Sequence, residues 1–520
     1  MKPRPVLLFL AALGAGPLGA QGQRLNEPFV LAESDVFSFD LDARGRNFVF
    51  AADGDTDGVN ELYGGPTDYR HAPRKLNAAL VPGGDVTAFA LSADGTRAVY
   101  RADQAVDEVQ ELYSVPLSGA PVAVRLGPDL AADRDVTDFA ISADSTRVVF
   151  LTNARALGSF ELWSAPLDGS QPAVLLQSLT GGRDTLDFAI APDSSRVVLR
   201  SDPSGVAELF SVPIDGSAAP VKLNGTLVQF GSVQNHRIAP DSTRVVYLAD
   251  QTRAGVFDLF AVPLDGSAAA VRLNERLPAN GDVTDWTITP DARHVVFLAD
   301  AGQDTIFELH LTDFVGNHSV VLDPGLAPGG IVRDFFVSPD GRYVAFRAEV
   351  QASDQIDLFC APLRRTAWLE GRRPVAQVSG PLVANGDVRL AVFAGERVIY
   401  MADQEVDSRI EIYSAPVTGN APPLKLNQPF TTTGVSVIEV ADDGATVVYR
   451  AESGGAPQLF SVPADGARAP RRLNGALVSG GAAFPGFELR GPRIFYRADQ
   501  ELDGVVELFS SFLTRPHLPR

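Results

Sequence analysis

The chain has 520 residues, 45% of them hydrophobic and 21% charged, with a formal net charge of −20. A balance this acidic disfavours nucleic acid and anionic lipid as partners and favours solubility, cations or basic partners. Cys360 is the only cysteine, which excludes an intrachain disulfide and leaves packing to hold the fold.

Residues 1–20, MKPRPVLLFLAALGAGPLGA, place Lys2 and Arg4 before an apolar run and end in Leu18-Gly19-Ala20. That order is the one expected of a secretory signal peptide with a small-residue cleavage site. The apolar run is too short and too rich in Gly and Pro for a membrane span, and no Cys follows the cut to carry a lipid. The expectation is an exported, soluble protein, periplasmic or extracellular, without membrane insertion. Loss of Lys2 and Arg4 would bring its charge to about −22.

From residue 21 to 520 the chain repeats one pattern. In Asp135–Leu176 it reads as four short apolar runs, VTDFAIS, RVVFLT, FELWSAPL and PAVLL, separated by ADST, NARALG and DGSQ. The separators carry turn residues, and no run has the length or the period of a helix. Ten anchors mark the third run: Leu62, Leu112, Leu162, Leu209, Leu259, Leu309, Leu358, Ile412, Leu459 and Leu508, spaced 47 to 54 residues apart. A period near 50 with four strands per unit predicts an all-β propeller of four-stranded antiparallel blades. Runs such as RVVFL are apolar on both faces, so each sheet needs a neighbour on either side.

The tenth unit stops at its third strand, while Arg24-Leu25-Asn26 matches the fourth strands RKLN, VKLN, VRLN and RRLN. The N-terminal strand is therefore expected to complete the last blade and remove an open edge. Ten blades in one ring is the reading adopted. Two five-bladed rings are the alternative, although no second closing segment is found near residue 260.

The turns SPDGR (338–342), APDSSR (191–196), APDSTR (239–244) and SADGTR (92–97), the E-L-aromatic third strand and the following PLDGS turn resemble the TolB-like propeller repeat, a relative of the WD-type repeat. The resemblance implies the fold for nearly all of the mature chain and says little about function. TolB itself carries an α/β domain ahead of its propeller. Here the repeats follow the leader directly, so a true TolB role is not expected. Propeller-bearing serine peptidases carry a hydrolase domain with a Gly-x-Ser-x-Gly elbow, which this sequence lacks.

The connections between second and third strands are rich in acids, and the alternation of strand direction puts them all on one face of the ring. The first is Asp53-Gly-Asp55-Thr-Asp57-Gly58 with Glu61 following, similar to the first half of a calcium loop, because Ca²⁺ takes six to eight oxygens. Asp53, Asp55, Asp57 and Glu61 are the candidate calcium ligands, although Gly64 stands where the helical-hand motif needs Glu. The same face gathers Asp103, Asp107, Glu111, Asp300, Asp304, Asp403, Asp407, Asp499 and Asp503. The structural alternative has each Asp accept backbone N–H bonds in its own loop, with Glu paired to an arginine such as Arg101 or Arg497. Cys360 reads as a small buried strand residue, and no two of the six histidines have ligand spacing.

The functional expectation is a monomeric, non-catalytic binding or scaffolding module for a protein or other envelope or extracellular ligand. A propeller hydrolase or lyase acting on polysaccharide or peptide is the alternative. An enzyme would show a few copies breaking pattern at the channel, and copies five (SVQNHRI), seven (IVRDFFV) and eight (DVRLAVF) do deviate in the first strand.

Overall fold

A computed structural model describes residues 22–27, 34–178, 183–303, 305–316, 318–322, 330–349, 355–364, 375–428 and 434–514. Residues 1–20, where a signal peptide is expected, and Asp304 lie outside these residues. Every regular element described is a β-strand, and the strands form ten four-stranded antiparallel sheets. Blade 1 consists of Val36–Leu41, Asn47–Ala52, Glu61–Pro66 and Arg74–Lys75. The first strands of blades 2 to 10 begin at Val86, Val136, Thr185, Val233, Val283, Val332, Val388, Val435 and Glu488.

One ring is formed, closed as the sequence predicts. Gln23 and Arg24 pair with Ser510 and Phe509, the third strand of blade 10, and Leu25 N–H donates to Leu508 O at 2.8 Å. Blade 5 meets blade 6 rather than turning back on blade 1, since Val283 N–H donates to Phe257 O at 3.0 Å and Trp286 Nε1 to Asn235 Oδ1 at 3.0 Å. The two-ring alternative is thereby set aside.

The core lies between the blades. Each buried cluster joins two neighbours: Val49, Leu62 and Leu76 of blade 1 pack against Val86, Ala98 and Tyr100 of blade 2, and Phe495 and Leu508 of blade 10 against Leu25, Val36 and Phe48. Burying a large apolar side chain contributes about 1.5–3 kcal/mol, so no blade is stable with a face uncovered.

The outer strand is fastened by a latch. Asn77 Oδ1 accepts Leu62 N–H at 2.8 Å, and its amide donates to Ala78 O at 2.9 Å. Asn224, Asn274, Asn427, Asn474 and, for blade 10, Asn26 accept the equivalent N–H at 2.7–2.9 Å. The first hairpin needs a left-handed residue, supplied by glycine at Gly95 and Gly341 and by serine at Ser145, Ser194 and Ser242. The serines add a tie that glycine cannot, because Ser145 Oγ accepts Asp94 N–H of the preceding blade at 3.2 Å.

Removal of residues 1–26 should cost about 3–5 kcal/mol through the lost Leu25 burial and edge pairing, relative to removal of residues 1–20. Thermal unfolding of the two forms measures it. Equal melting temperatures would contradict the closure.

Candidate functional site

The acidic loops divide into a buried layer and an exposed one. Asp53 is buried, and its carboxylate accepts the Asp35 N–H at 2.7 Å and the Gly58 N–H at 3.3 Å. Asp103 accepts Asp85 N–H at 2.6 Å and Glu108 N–H at 3.2 Å, and Asp300 accepts Asp282 N–H at 2.5 Å and Thr305 N–H at 3.1 Å. Asp403 takes Asp387 and Ser408, and Asp499 takes Ala482 and Gly504. Each carboxylate thus ties its own loop to the connection that enters the same blade. Burial pushes the Asp403 carboxyl up, but these N–H donors outweigh it and hold the group below its ordinary range.

A second set of acids ties six of the blades to the one before. Asp35, Asp85, Asp135, Asp184, Asp282 and Asp387 accept N–H groups of Val506, Asn60, Gln110, Phe160, Phe257 and Ile356 at 2.6–2.9 Å. Burial pushes Asp35 and Asp282 up against the pull of those N–H groups.

The remaining acids of the face point to solvent or to cations. Asp57, Asp107, Asp407 and Asp503 are exposed. Asp55 lies 3.2 Å from Lys75 Nζ. Glu61 is buried and pairs with the same Lys75 and with Tyr63 Oη, 3.1 Å away. Glu111 repeats this with Arg125 at 2.7 Å. Among the described residues no group of three or more His, Cys, Asp or Glu could hold a metal ion.

The glutamate partners differ from those predicted. Arg101 stands opposite Leu112 and Ala102 opposite Glu111, so Arg101 and Glu111 point to opposite faces of the sheet. The fourth strand supplies the cation instead. Arg101 and Arg497 reach the next blade, donating to Val136 and Thr137 carbonyls and to Val36 (3.2 Å) and Phe37 carbonyls.

The first strands form the inner wall, where Asp40 Oδ2 accepts Leu91 N–H of the next blade at 2.7 Å. One register position, opposite the third residue of the second strand, repeats around the ring without full burial in any blade. Blades 2 to 4 place Ala90, Ala140 and Ala189 there, and blades 6 to 8 Thr287, Phe336 and Val392. Blade 5 places Arg237, and blades 9, 10 and 1 place Glu439, Glu488 and Asp40. In a ring of ten, blade 5 stands opposite blade 10, so the cation and the acids of this level lie on opposite sides of the ring. Burial pushes Glu439 and Glu488 up; Glu488 adds to the rise at Glu439, and Arg490, 2.8 Å from Glu488, opposes it.

Arg237 lies over the Trp286 ring at 4.9 Å and donates to the Trp286 carbonyl. With Asp285 and Phe335 these residues line a cleft of 330 Å³. Two of the three deviating copies, five and seven, contribute to it. The role of Arg237 escaped the sequence reading, and the signal for it was the one cation at that position of the aligned first strands. His236 is buried beside Asp187 (3.6 Å), and burial lowers its pKa to about 4. Cys360 is buried, which pushes its thiol to about 12.

No family model and no curated protein matches the chain. Solved structures that match in part include the following three. One is a prolyl endopeptidase at 12% identity and TM-score 0.37, matched over 71% of this chain, which spans about half (55%) of that one. Another, described as TolB from Agrobacterium tumefaciens, has 19% identity and TM-score 0.28 over 48% of this chain and 84% of its own. The third, a eukaryotic initiation factor, has 11% identity and TM-score 0.49 over 88% and 97%. These values say nothing about activity.

Two measurements test the electrostatics. Asp53→Ala should cost about 1–3 kcal/mol by orphaning buried N–H groups, and Asp55→Ala under about 1 kcal/mol. A calcium site would make both variants and EDTA lower the melting temperature alike. His310 is buried against Phe297, its ring centroid 5.0 Å away, with its pKa lowered by burial to about 4. The unfolded chain, with histidine near 6.5, takes up that proton first, so stability falls as pH drops from 6.5 towards 4. His310→Phe, the residue of blades 4, 5, 7, 9 and 10, should recover roughly 2–3 kcal/mol of that loss at pH 4. Equal acid sensitivity of both proteins in thermal melts from pH 7 to 4 would refute it.

Proposed function

We propose that this protein is an exported, non-catalytic binding or scaffolding propeller that recognises an extended segment of a protein or envelope ligand in its central channel. The observation that carries the reading is the polarity of one channel level, with Arg237 on blade 5 facing the Glu439, Glu488 and Asp40 side. Fixed charges on opposite walls orient a ligand whose own charges lie at its two ends, as those of a short peptide do. The cleft beside Arg237 adds apolar surface from Trp286 and Phe335 next to Asp285, the mixture that ligand sites use. Two deviating copies of the repeat contribute to this cleft, which fits specialisation of that wall.

The loop-face carboxylates support the same reading indirectly. Those at the base of each loop are committed to backbone N–H groups, so the exposed Asp57, Asp107, Asp407 and Asp503 serve as a solvated rim. Export rests on residues 1–20, and calcium at Asp53, Asp55, Asp57 and Glu61 stays a secondary proposal that the EDTA comparison decides.

Panning a random peptide display library against the protein and against the Arg237→Ala/Glu488→Gln variant tests the binding role. Enriched peptides should bind the variant about 10-fold or more weakly, the loss expected for an oriented ion pair. Equal enrichment on both would overturn the channel reading. Cleavage of enriched peptides, read by mass spectrometry, would favour the hydrolase alternative.

A further inference from the structure

A second cleft lies at the outer edge of the ring, far from the channel wall, between the fourth strand of blade 2 (Val124–Arg125) and the hairpin that leads into the fourth strand of blade 3 (Val174–Gln177). Its volume is 410 Å³, within the range of small-ligand sites. Three departures from the repeat meet here. Blade 2 ends in Leu126-Gly127 where six sister blades end in Leu-Asn, so the latch side chain is absent. A Cβ at Gly127 would meet the Phe150 ring at 3.5 Å, an ordinary contact, so the position accepts a side chain but carries none. Blade 3 replaces the tyrosine of Tyr63, Tyr113 and Tyr413 with Trp163. Directly opposite Trp163 it replaces the fourth-strand cation of Lys75, Arg125 and Lys425 with Leu175.

The consequence is an unsatisfied donor. Tyr113 Oη donates to Glu111 at 2.5 Å, and Tyr63 and Tyr413 repeat that bond. Trp163 lines the cleft with its half-buried ring, while its indole N–H is inaccessible and has no acceptor among the described residues. The rest of the cleft combines flat apolar surface, Pro128 and Pro172, with the hydroxyl of Ser170 and the amide of Gln171. Arg125 is also present, but Glu111 at 2.7 Å and Asp129 already neutralise it. An anion would therefore find little uncompensated positive charge here and a strongly acidic protein around it.

We propose that this cleft is a binding site for a neutral saccharide ring. Such a ring has an apolar C–H face that packs on an indole and hydroxyls that both accept and donate. Its apolar face lies on the half-buried Trp163 ring, and its hydroxyls meet Ser170, Gln171 and the Arg125 guanidinium. The cleft opens on the outer rim, so the ring bound can be one unit of a longer glycan.

Titrations with methyl glucoside, methyl galactoside, methyl mannoside and N-acetylglucosamine, followed by calorimetry and saturation-transfer NMR, test the site. At least one should bind, and Trp163→Tyr and Gly127→Asn should each weaken it about 10-fold or more. Both variants install the residue of sister blades, so melting temperatures near that of the parent are expected and exclude misfolding as the cause. Arg237→Ala should leave sugar binding unchanged, which separates this site from the channel. Absence of binding by all four probes, binding that survives both cleft variants, or tighter binding of glucuronate than of the neutral glucoside would overturn the proposal.

Discussion

The structure depends on a core that exists only between blades. Each sheet is apolar on both faces, and every buried cluster draws on two neighbours, so no sheet contains its own interior. A row of such sheets would end with two wet apolar faces, and a ring is the arrangement without ends. Closure is then a condition of stability for all ten blades. The short strand Gln23–Arg24 carries that condition together with Leu25 and Asn26.

The acidic character of the chain has a structural source once the loops are described. Where strands leave the sheet, backbone N–H groups are buried without ladder partners, and a buried orphan costs about 1–3 kcal/mol. Aspartate at one or both of two recurring sites accepts those donors, and charge-assisted bonds are the stronger kind. Asparagine does the same at Asn153, where Oδ1 accepts Asp135 N–H at 2.7 Å. The geometry thus asks for an oxygen at that point, and a full negative charge is one way to supply it. Found in seven blades at the first site and six at the second among the described residues, this choice contributes much of the net −20.

The fold was legible in the sequence because its determinants are local and repeated. The strand period, the turn residues and the stray Leu25-Asn26 could be read without coordinates. The role of the acids was not, because spacing alone cannot separate a carboxylate that accepts N–H groups from one that faces a cation. The acid-poor loop NARALG held a clue, since it folds like its sisters with Asn153 in the aspartate's place. Pairing Arg101 with Glu111 ignored the alternation of faces along a strand, which the register makes plain. The polarity of the channel needed the ring itself, because Arg237 and Glu488 are 251 residues apart and become opposites only when ten units close.

Closure also has a bearing on time. Arg24 and Glu507, 2.8 Å apart in the folded protein, are separated by 483 positions in the chain. The segment made first is used last, and the final blade has no edge partner until the whole polypeptide is free to meet itself. Such a long-range contact belongs to the slow end of folding. A chain that still lacks its tenth blade cannot lock prematurely, because the lock needs Phe509 and Ser510. The same strand that seals the ring thereby leaves it unsealed until blade 10 is made.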